Sequence, residues 1–171
     1  MFDLPFDHVS IKGSLNSYLY IMKQRVPPAI VLLVHFGVAF LLKRYLILVN
    51  FSIPGQETVA ILLAISGCAL VIYSMYTLHR ARTTIDPIFP DKATSLITTG
   101  PFSISRNPIY LALLLILLAW ITRLGNVVAV LLSVTFVWHL TRFQIKAEEE
   151  ALELKFGMAY QEYKLKVRRW I

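Results

Sequence analysis

Four apolar runs divide the chain, and their spacing predicts an all-α integral membrane protein of about four transmembrane helices. The first run goes from Pro28 to about Val49 and contains Lys43 and Arg44, whose long stems can carry their charges toward the interface. Pro28 suits the first position of a helix, and His35 within the run reads as a packed or hydrogen-bonded residue rather than a ligand. Pro54 and Gly55 mark a turn over Asn50–Gln56. The second run, Thr58 to Leu78, holds no charged residue and is long enough to cross a bilayer. The third and fourth, Pro108–Thr122 and Asn126–Leu140, are joined by Arg123-Leu124-Gly125. Each of these reaches only about 22 Å at ~1.5 Å per residue, short of a ~30 Å hydrocarbon core. They predict a short spanning hairpin, with a re-entrant hairpin as the alternative.

The polar segments assign the sides. Residues 1–27, 79–107 and 141–171 carry three, four and seven Lys and Arg, against Lys43, Arg44 and Arg123 on the opposite side. That asymmetry predicts an even number of spans with both termini cytoplasmic. Within 1–27, Leu15, Tyr18, Leu19 and Met22 recur at helical spacing near Lys12, Lys23 and Arg25. They fit either an interfacial helix or an ordinary tail. The first ten residues lack the basic start and apolar centre of a signal peptide, so the spans are expected to direct insertion. Residues 142–171 read as a cytoplasmic helix with Glu148, Glu149 and Glu150 early and Lys164, Lys166, Arg168 and Arg169 late, an order that suits the helix dipole.

Composition agrees with the pattern. Hydrophobic residues make up 57% of the 171 and charged residues 16%, with a mean hydropathy of +0.63. A soluble domain carries more charge, about a quarter of its residues. The net charge of +7 does not indicate nucleic acid, because the apolar runs leave no soluble core to present a basic face. The bases instead flank spans and meet anionic membrane lipid. Cys68 is the single cysteine, so neither an intramolecular disulfide nor a cysteine-based metal site is available, and no metal is expected. The whole reads as one membrane domain whose oligomeric state the sequence leaves open.

Candidate chemistry follows from the hairpin. Its two ends return to one face, which brings Thr98–Tyr110 beside Arg142–Leu152. Asn107 before Pro108 is a good N-cap, and a helix start also suits a carboxylate ligand. Glu148 shares a helix face with Leu152 and Phe156, which predicts a partly buried carboxylate in need of a cationic or donor partner. Arg106 or a cationic ligand can supply it. Phe102 and Tyr110 add aromatic rings.

These residues stand in a familiar order: Leu96-Ile97-Thr98-Thr99-Gly100, Arg106-Asn107-Pro108-Ile109-Tyr110, Glu148-Glu149, Leu152, Phe156-Gly157, Tyr160, Tyr163 and Val167-Arg168. Over about residues 79–171 the chain resembles the isoprenylcysteine carboxyl methyltransferase family, related to the membrane phospholipid methyltransferases. The resemblance implies S-adenosylmethionine as cofactor and a lipophilic or lipid substrate. Carried over by position, it implies cofactor contacts at Leu96, Ile97, Phe102, Asn107, Pro108, Ile109, Tyr110 and Glu148. The aromatic rings suit the base or the sulfonium. Two departures stand out. Asn107 replaces a His usual in eukaryotic members, so it can donate a hydrogen bond but not titrate. Gln144 stands where those enzymes carry an Arg for the substrate carboxylate, flanked by Arg142 and Lys146, so the acceptor need not be a carboxylate. Glu149 is the candidate base for an amine or hydroxyl acceptor, with Arg106 beside it. Arg80 and Arg82 can contact an anionic headgroup or serve as membrane anchors, and Arg168 and Arg169 share that ambiguity. The competing expectations are a sterol-reductase-type membrane enzyme with a nicotinamide cofactor, usually a longer chain, and a non-catalytic membrane protein.

Overall fold

The computed structural model describes residues 26–81 and 95–171, all helix, turn and loop apart from one isolated bridge between Asn50 and Asn126. The expected interfacial segment, up to Arg25, and Arg82 lie outside the described residues. Pro28 opens α1 (Pro28–Tyr45), as its fixed φ favours. A turn through Gly55, at φ 81°, leads into α2 (Gln56–Arg80). After an irregular stretch, a 3₁₀ turn at Gly100–Ser103 precedes α3 (Pro108–Leu124).

The fourth run departs from expectation. It does not stop near Leu140. A 3₁₀ turn at Val128–Val130, α4 (Leu131–Leu140), a π turn at Thr141–Ile145 and α5 (Lys146–Phe156) form one rod, Val128–Phe156, of 29 residues. Helical hydrogen bonds do not end where apolar side chains end, so the polar start of the C-terminal segment extends the rod. Nor is that segment a single helix. Gly157, at φ 51°, breaks it, and α6 (Met158–Lys166) gives way to a non-helical tail that starts with Val167 in an extended conformation. Among the described residues, α1, α2 and the rod are long and apolar enough to cross a membrane, while α3, at 17 residues, is shorter.

α3 packs antiparallel on α2. Small residues recur every seven positions on both helices: Ala60, Gly67 and Ser74 are buried on α2, and Ala112 and Ala119 on α3. Such positions let the backbones approach closely. A Cβ on Gly67 would lie 2.7 Å from Ile116 Cγ1 and 2.9 Å from the Ala112 carbonyl oxygen. Lower down, Gln56 Nε2 donates to the Thr122 carbonyl at 2.7 Å. α1 and α4 complete the bundle around Val31, Ala39, Leu117, Phe136 and Leu140, with Trp120 Nε1 donating to the Phe36 carbonyl at 3.2 Å.

The two hairpin turns meet at one level. Phe51 N–H donates to Gly125 O at 2.7 Å, and Val127 N–H donates to Val49 O at 3.1 Å. Asn126, fully buried, sends its Nδ2 to Asn50 Oδ1 at 2.7 Å and toward the Leu42 and Leu46 carbonyls. The second hairpin therefore reaches as deep as the first. Large apolar side chains on the outside, including Leu33, Ile65, Leu131 and Trp138, are each more than half exposed. A continuous apolar exterior over helices whose backbone bonds are satisfied internally is what a bilayer requires.

Gly125 carries the turn. It sits at φ 61°, and a Cβ there would lie 2.2 Å from the Phe51 carbonyl oxygen. Gly37, inside α1, has open space around its missing Cβ. Gly125→Ala should destabilise the protein by at least about 2 kcal/mol, whereas Gly37→Ala should be neutral or gain up to ~1 kcal/mol. Thermal denaturation in detergent reads this directly, and equal melting temperatures for the two variants would contradict the turn's role.

Candidate functional site

At the opposite end of the bundle three polar segments converge: the approach to α3, the α5 portion of the rod, and the tail after α6. Gly100, at φ 61°, starts a 3₁₀ turn that buries Phe102. Tyr163 Oη donates to the Phe102 carbonyl at 2.5 Å. Burial pushes the Tyr163 phenol up to about 12, so it stays a neutral donor at physiological pH. Burial, then the Glu149 charge, pushes Tyr160 upward as well.

Ser105, Arg106 and Asn107 grip the tail. Arg106 N–H donates to Arg168 O at 3.0 Å, and its Nη1 donates to Val167 O at 2.7 Å. Ser105 Oγ donates to Arg169 O at 3.3 Å and accepts the Asn107 N–H at 3.1 Å. Asn107 Nδ2 donates to the same Arg169 carbonyl at 3.0 Å. Asn107 does precede α3, but its side chain does not cap the helix, because the returning tail captures it.

Two carboxylates follow on the rod. The π turn widens the helix just before them, and Gln144, Ile145, Glu148 and Glu149 are all buried on one side. Glu149 lies between two guanidiniums. Arg106 Nη2 reaches its Oε1 at 2.7 Å and Arg169 Nη2 its Oε2 at 2.5 Å. Both oxygens are engaged by guanidiniums, an arrangement that suits a structural anion. The Arg106 guanidinium donates to Glu149 and to the Val167 and Lys164 carbonyls. Among the described residues Glu148 accepts from the hydroxyl of Tyr110, in the first turn of α3, while Arg106 pairs with Glu149.

Leu96, Ile97, Phe102, Asn107 and Glu148 line one narrow pocket with Arg106, Glu149, Leu152, Tyr160 and Tyr163. Tyr110 joins it through Glu148. Pro108 and Ile109 form the start of α3 without lining the pocket. The substrate candidates lie elsewhere. Arg142 is exposed, its guanidinium 5.8 Å from the Phe143 ring centre, so it points away from the pocket. Gln144 is buried but donates to the Val26 carbonyl at 2.6 Å, tying the π turn to the start of α1. Arg80 borders a separate open groove of about 430 Å³, which shares Ile97 with the pocket. Ser105 was not foreseen here, and Arg169 was expected only as a headgroup contact or a membrane anchor. Their sequence signal was indirect: a buried glutamate pair needs more cation than Arg106 alone, and the late bases of the terminal segment were available.

The pocket itself holds about 20 Å³, room for roughly one water. Its chemistry is two carboxylates, a guanidinium, an amide, hydroxyls and aromatic rings between apolar walls, groups that suit an amphipathic ligand carrying both charges.

An all-helical membrane bundle with this polar site defines a class, and comparison with known proteins agrees. The family model described as phospholipid methyltransferase matches residues 56–159, more than half of the chain. The chain belongs to that family, and with its apolar helices it is an integral membrane protein of the methyltransferase class. A protein of Haemophilus influenzae described as "Uncharacterized protein" is 55% identical over 62 residues, 36% of this chain and 98% of that one. The Protein-S-isoprenylcysteine O-methyltransferase of Saccharomyces cerevisiae is 32% identical over 113 residues, 62% of this chain and 47% of the yeast protein. The matched stretch thus spans about half the length of that relative. No solved structure matches significantly. Neither the family nor these relatives favour the reductase expectation.

The ion triad gives a stability order. Removing one partner of a buried pair strands the other charge and costs about 3–5 kcal/mol. The Arg106 side chain is 9% exposed and that of Arg169 34%. Arg106→Gln should therefore lower stability by ~3 kcal/mol and Arg169→Gln by less, as measured by thermal denaturation in detergent. The reverse order would sink this account of the triad.

Proposed function

We propose that the protein transfers a methyl group from S-adenosylmethionine to a lipophilic acceptor at the cytoplasmic face of the membrane, with four helices crossing and both termini cytoplasmic. The observation that carries the reading is the meeting of Leu96, Ile97, Phe102, Asn107 and Glu148 around one pocket, from segments some forty residues apart, in a chain of this family. Bound there, S-adenosylmethionine supplies a methyl already activated on a sulfonium. The protein's part is alignment and exclusion of water.

Glu148, with its carboxylate fixed by Tyr110, is placed to accept from the ligand's amino group or ribose. Phe102, Tyr160 and the apolar edge at Leu96–Ile97 suit the base and the sulfonium. Asn107 is held by the Arg169 carbonyl so that its amide faces one direction. Small-molecule pockets are typically ~300–1,000 Å³, so the pocket has to widen on binding. The wall at Ser95–Ile97 is the natural place. It borders the pocket on one side, and Ile97 also borders the open groove on the other.

Calorimetric titration in detergent with S-adenosylmethionine, its demethylated product and NADPH tests the reading. Both sulfur ligands should bind. Glu148→Gln should weaken them about tenfold, the loss of one charge-assisted hydrogen bond, and Tyr110→Phe by less. Binding of NADPH alone would refute methyl transfer. Unchanged affinity in Glu148→Gln would remove the pocket from it.

A further inference from the structure

Beside the pocket, and separated from it by the Ile97 wall, α2 ends in a groove with its own chemistry. Tyr73, Tyr76, Thr77 and Arg80 recur at i, i+3, i+4 and i+7, so they occupy one face of the helix. The opposite lip is Thr99-Gly100. Tyr73 and Tyr76 are each more than half exposed, and Arg80 is exposed at the polar end of the helix. Among the described residues of the lining, Arg80 carries the one formal charge. Gly100 leaves space for the hydroxyls. A Cβ there would come within 3.3 Å of both Tyr73 Oη and Thr77 Oγ1.

We infer that this groove seats the charged end of an anionic amphiphile, whose anionic oxygens meet Arg80 and the tyrosine hydroxyls. Its tail lies in the bilayer along the exposed face of α2 that carries Ile65, Ile72 and Met75. Three observations combine. The groove is open and sized for a headgroup. The charge its described residues bring is a guanidinium, which pairs with phosphate or carboxylate oxygens. The helix leading into it is lipid-facing, with aromatic rings at the level where membrane aromatic belts sit. The helix dipole and interfacial anchoring explain a basic residue at the end of α2. They do not explain the row of hydroxyls behind it or the space that Gly100 leaves for them. Because Ile97 borders both spaces, an amphiphile seated here presents its headgroup to the cofactor pocket. Its role as methyl acceptor rests on the proposed methyl transfer, whereas its binding does not.

Native mass spectrometry of the full chain in detergent, with added dioleoyl phosphatidylglycerol or dioleoyl phosphatidylcholine, reads the groove by itself. The wild type should retain one phosphatidylglycerol in preference to phosphatidylcholine. Arg80→Gln should lose that retention about tenfold, Tyr73→Phe/Tyr76→Phe should weaken it, and Arg80→Lys should keep part of it. Calorimetric binding of S-adenosylmethionine to Arg80→Gln reports whether the fold and pocket are intact, and so separates failure of this inference from failure of the methyltransferase reading. Wild-type retention in Arg80→Gln would overturn the inference, as would equal retention of phosphatidylcholine. Displacement of the lipid by an equal concentration of inorganic phosphate would make the groove a free-anion site and overturn its assignment to an amphiphile.

Discussion

Glu149 carries a charge that the fold has buried, and the polar end of the molecule is arranged to satisfy it. A carboxylate 6% exposed cannot keep its charge without cations and donors around it. Arg106 comes from just before α3 and Arg169 from beyond α6, so one carboxylate joins segments 43 and 20 residues away. The consequences spread along both. Arg106, turned toward Glu149, exposes its own backbone N–H and Nη1 to the tail, which answers with the Arg168 and Val167 carbonyls. Arg169, turned toward the same carboxylate, leaves its carbonyl facing Ser105 and Asn107. The tail is thereby stitched across the mouth of the hairpin, and Trp170 packs onto the membrane core with its Nε1 donating to Thr141 Oγ1 at 3.2 Å. The triad shapes the pocket by holding its neighbours, and two of its members, Arg106 and Glu149, also line it.

The far end of the bundle sets the depth at which this happens. Gly125 and Asn126 fasten the second hairpin to the turn of the first, so α3 cannot slide along α2 without breaking buried hydrogen bonds. The small-residue seam along Gly67 and Ala112 fixes the distance between the two helices over the same length. A short α3 of 17 residues, pinned below, places Asn107 and Tyr110 at one level. The rod, which is longer, crosses that level and continues as α5. Glu148 therefore meets Tyr110 because the two helices start from a shared floor and differ in length.

The topology of this site was legible in the sequence. An apolar hairpin has to return both ends to one face, so Thr98–Tyr110 and Arg142–Leu152 had to be neighbours whatever the packing. The burial of Glu148 was legible too, since it shares a helical stripe with Leu152 and Phe156. The identity of its partner was not. Neighbouring residues on a helix point about 100° apart, and which of Glu148 and Glu149 meets Arg106 depends on where residues 167–169 return. That contact spans some sixty residues and leaves no periodic trace. The π turn at Thr141–Ile145 was equally invisible, because one extra residue per turn shifts a face without changing which residues are apolar. The same limit explains the misjudged rod. Apolarity marked where the lipid ends, and the helix did not end there.

The stitched tail also bears on how a closed pocket can serve a large ligand. Its walls are of two kinds. One is tied down: Glu149, Arg106 and the tail form a network in which moving any member exposes a buried charge. Phe102 is held from behind by Tyr163. The other, Ser95–Ile97, is half-exposed to exposed, and no backbone hydrogen bond among the described residues holds it. When a cavity of about 20 Å³ has to admit a molecule many times larger, strain falls on the wall with least to lose. That wall is also the partition between pocket and groove. Under the proposed methyl transfer, widening the pocket at Ile97 would join it to the space beside Arg80, so that admitting the donor and exposing it to an acceptor would be one movement. The rigid triad on the far side would keep Glu148 and Asn107 in register during such a movement, and binding of either ligand to the open form would raise the apparent affinity of the other.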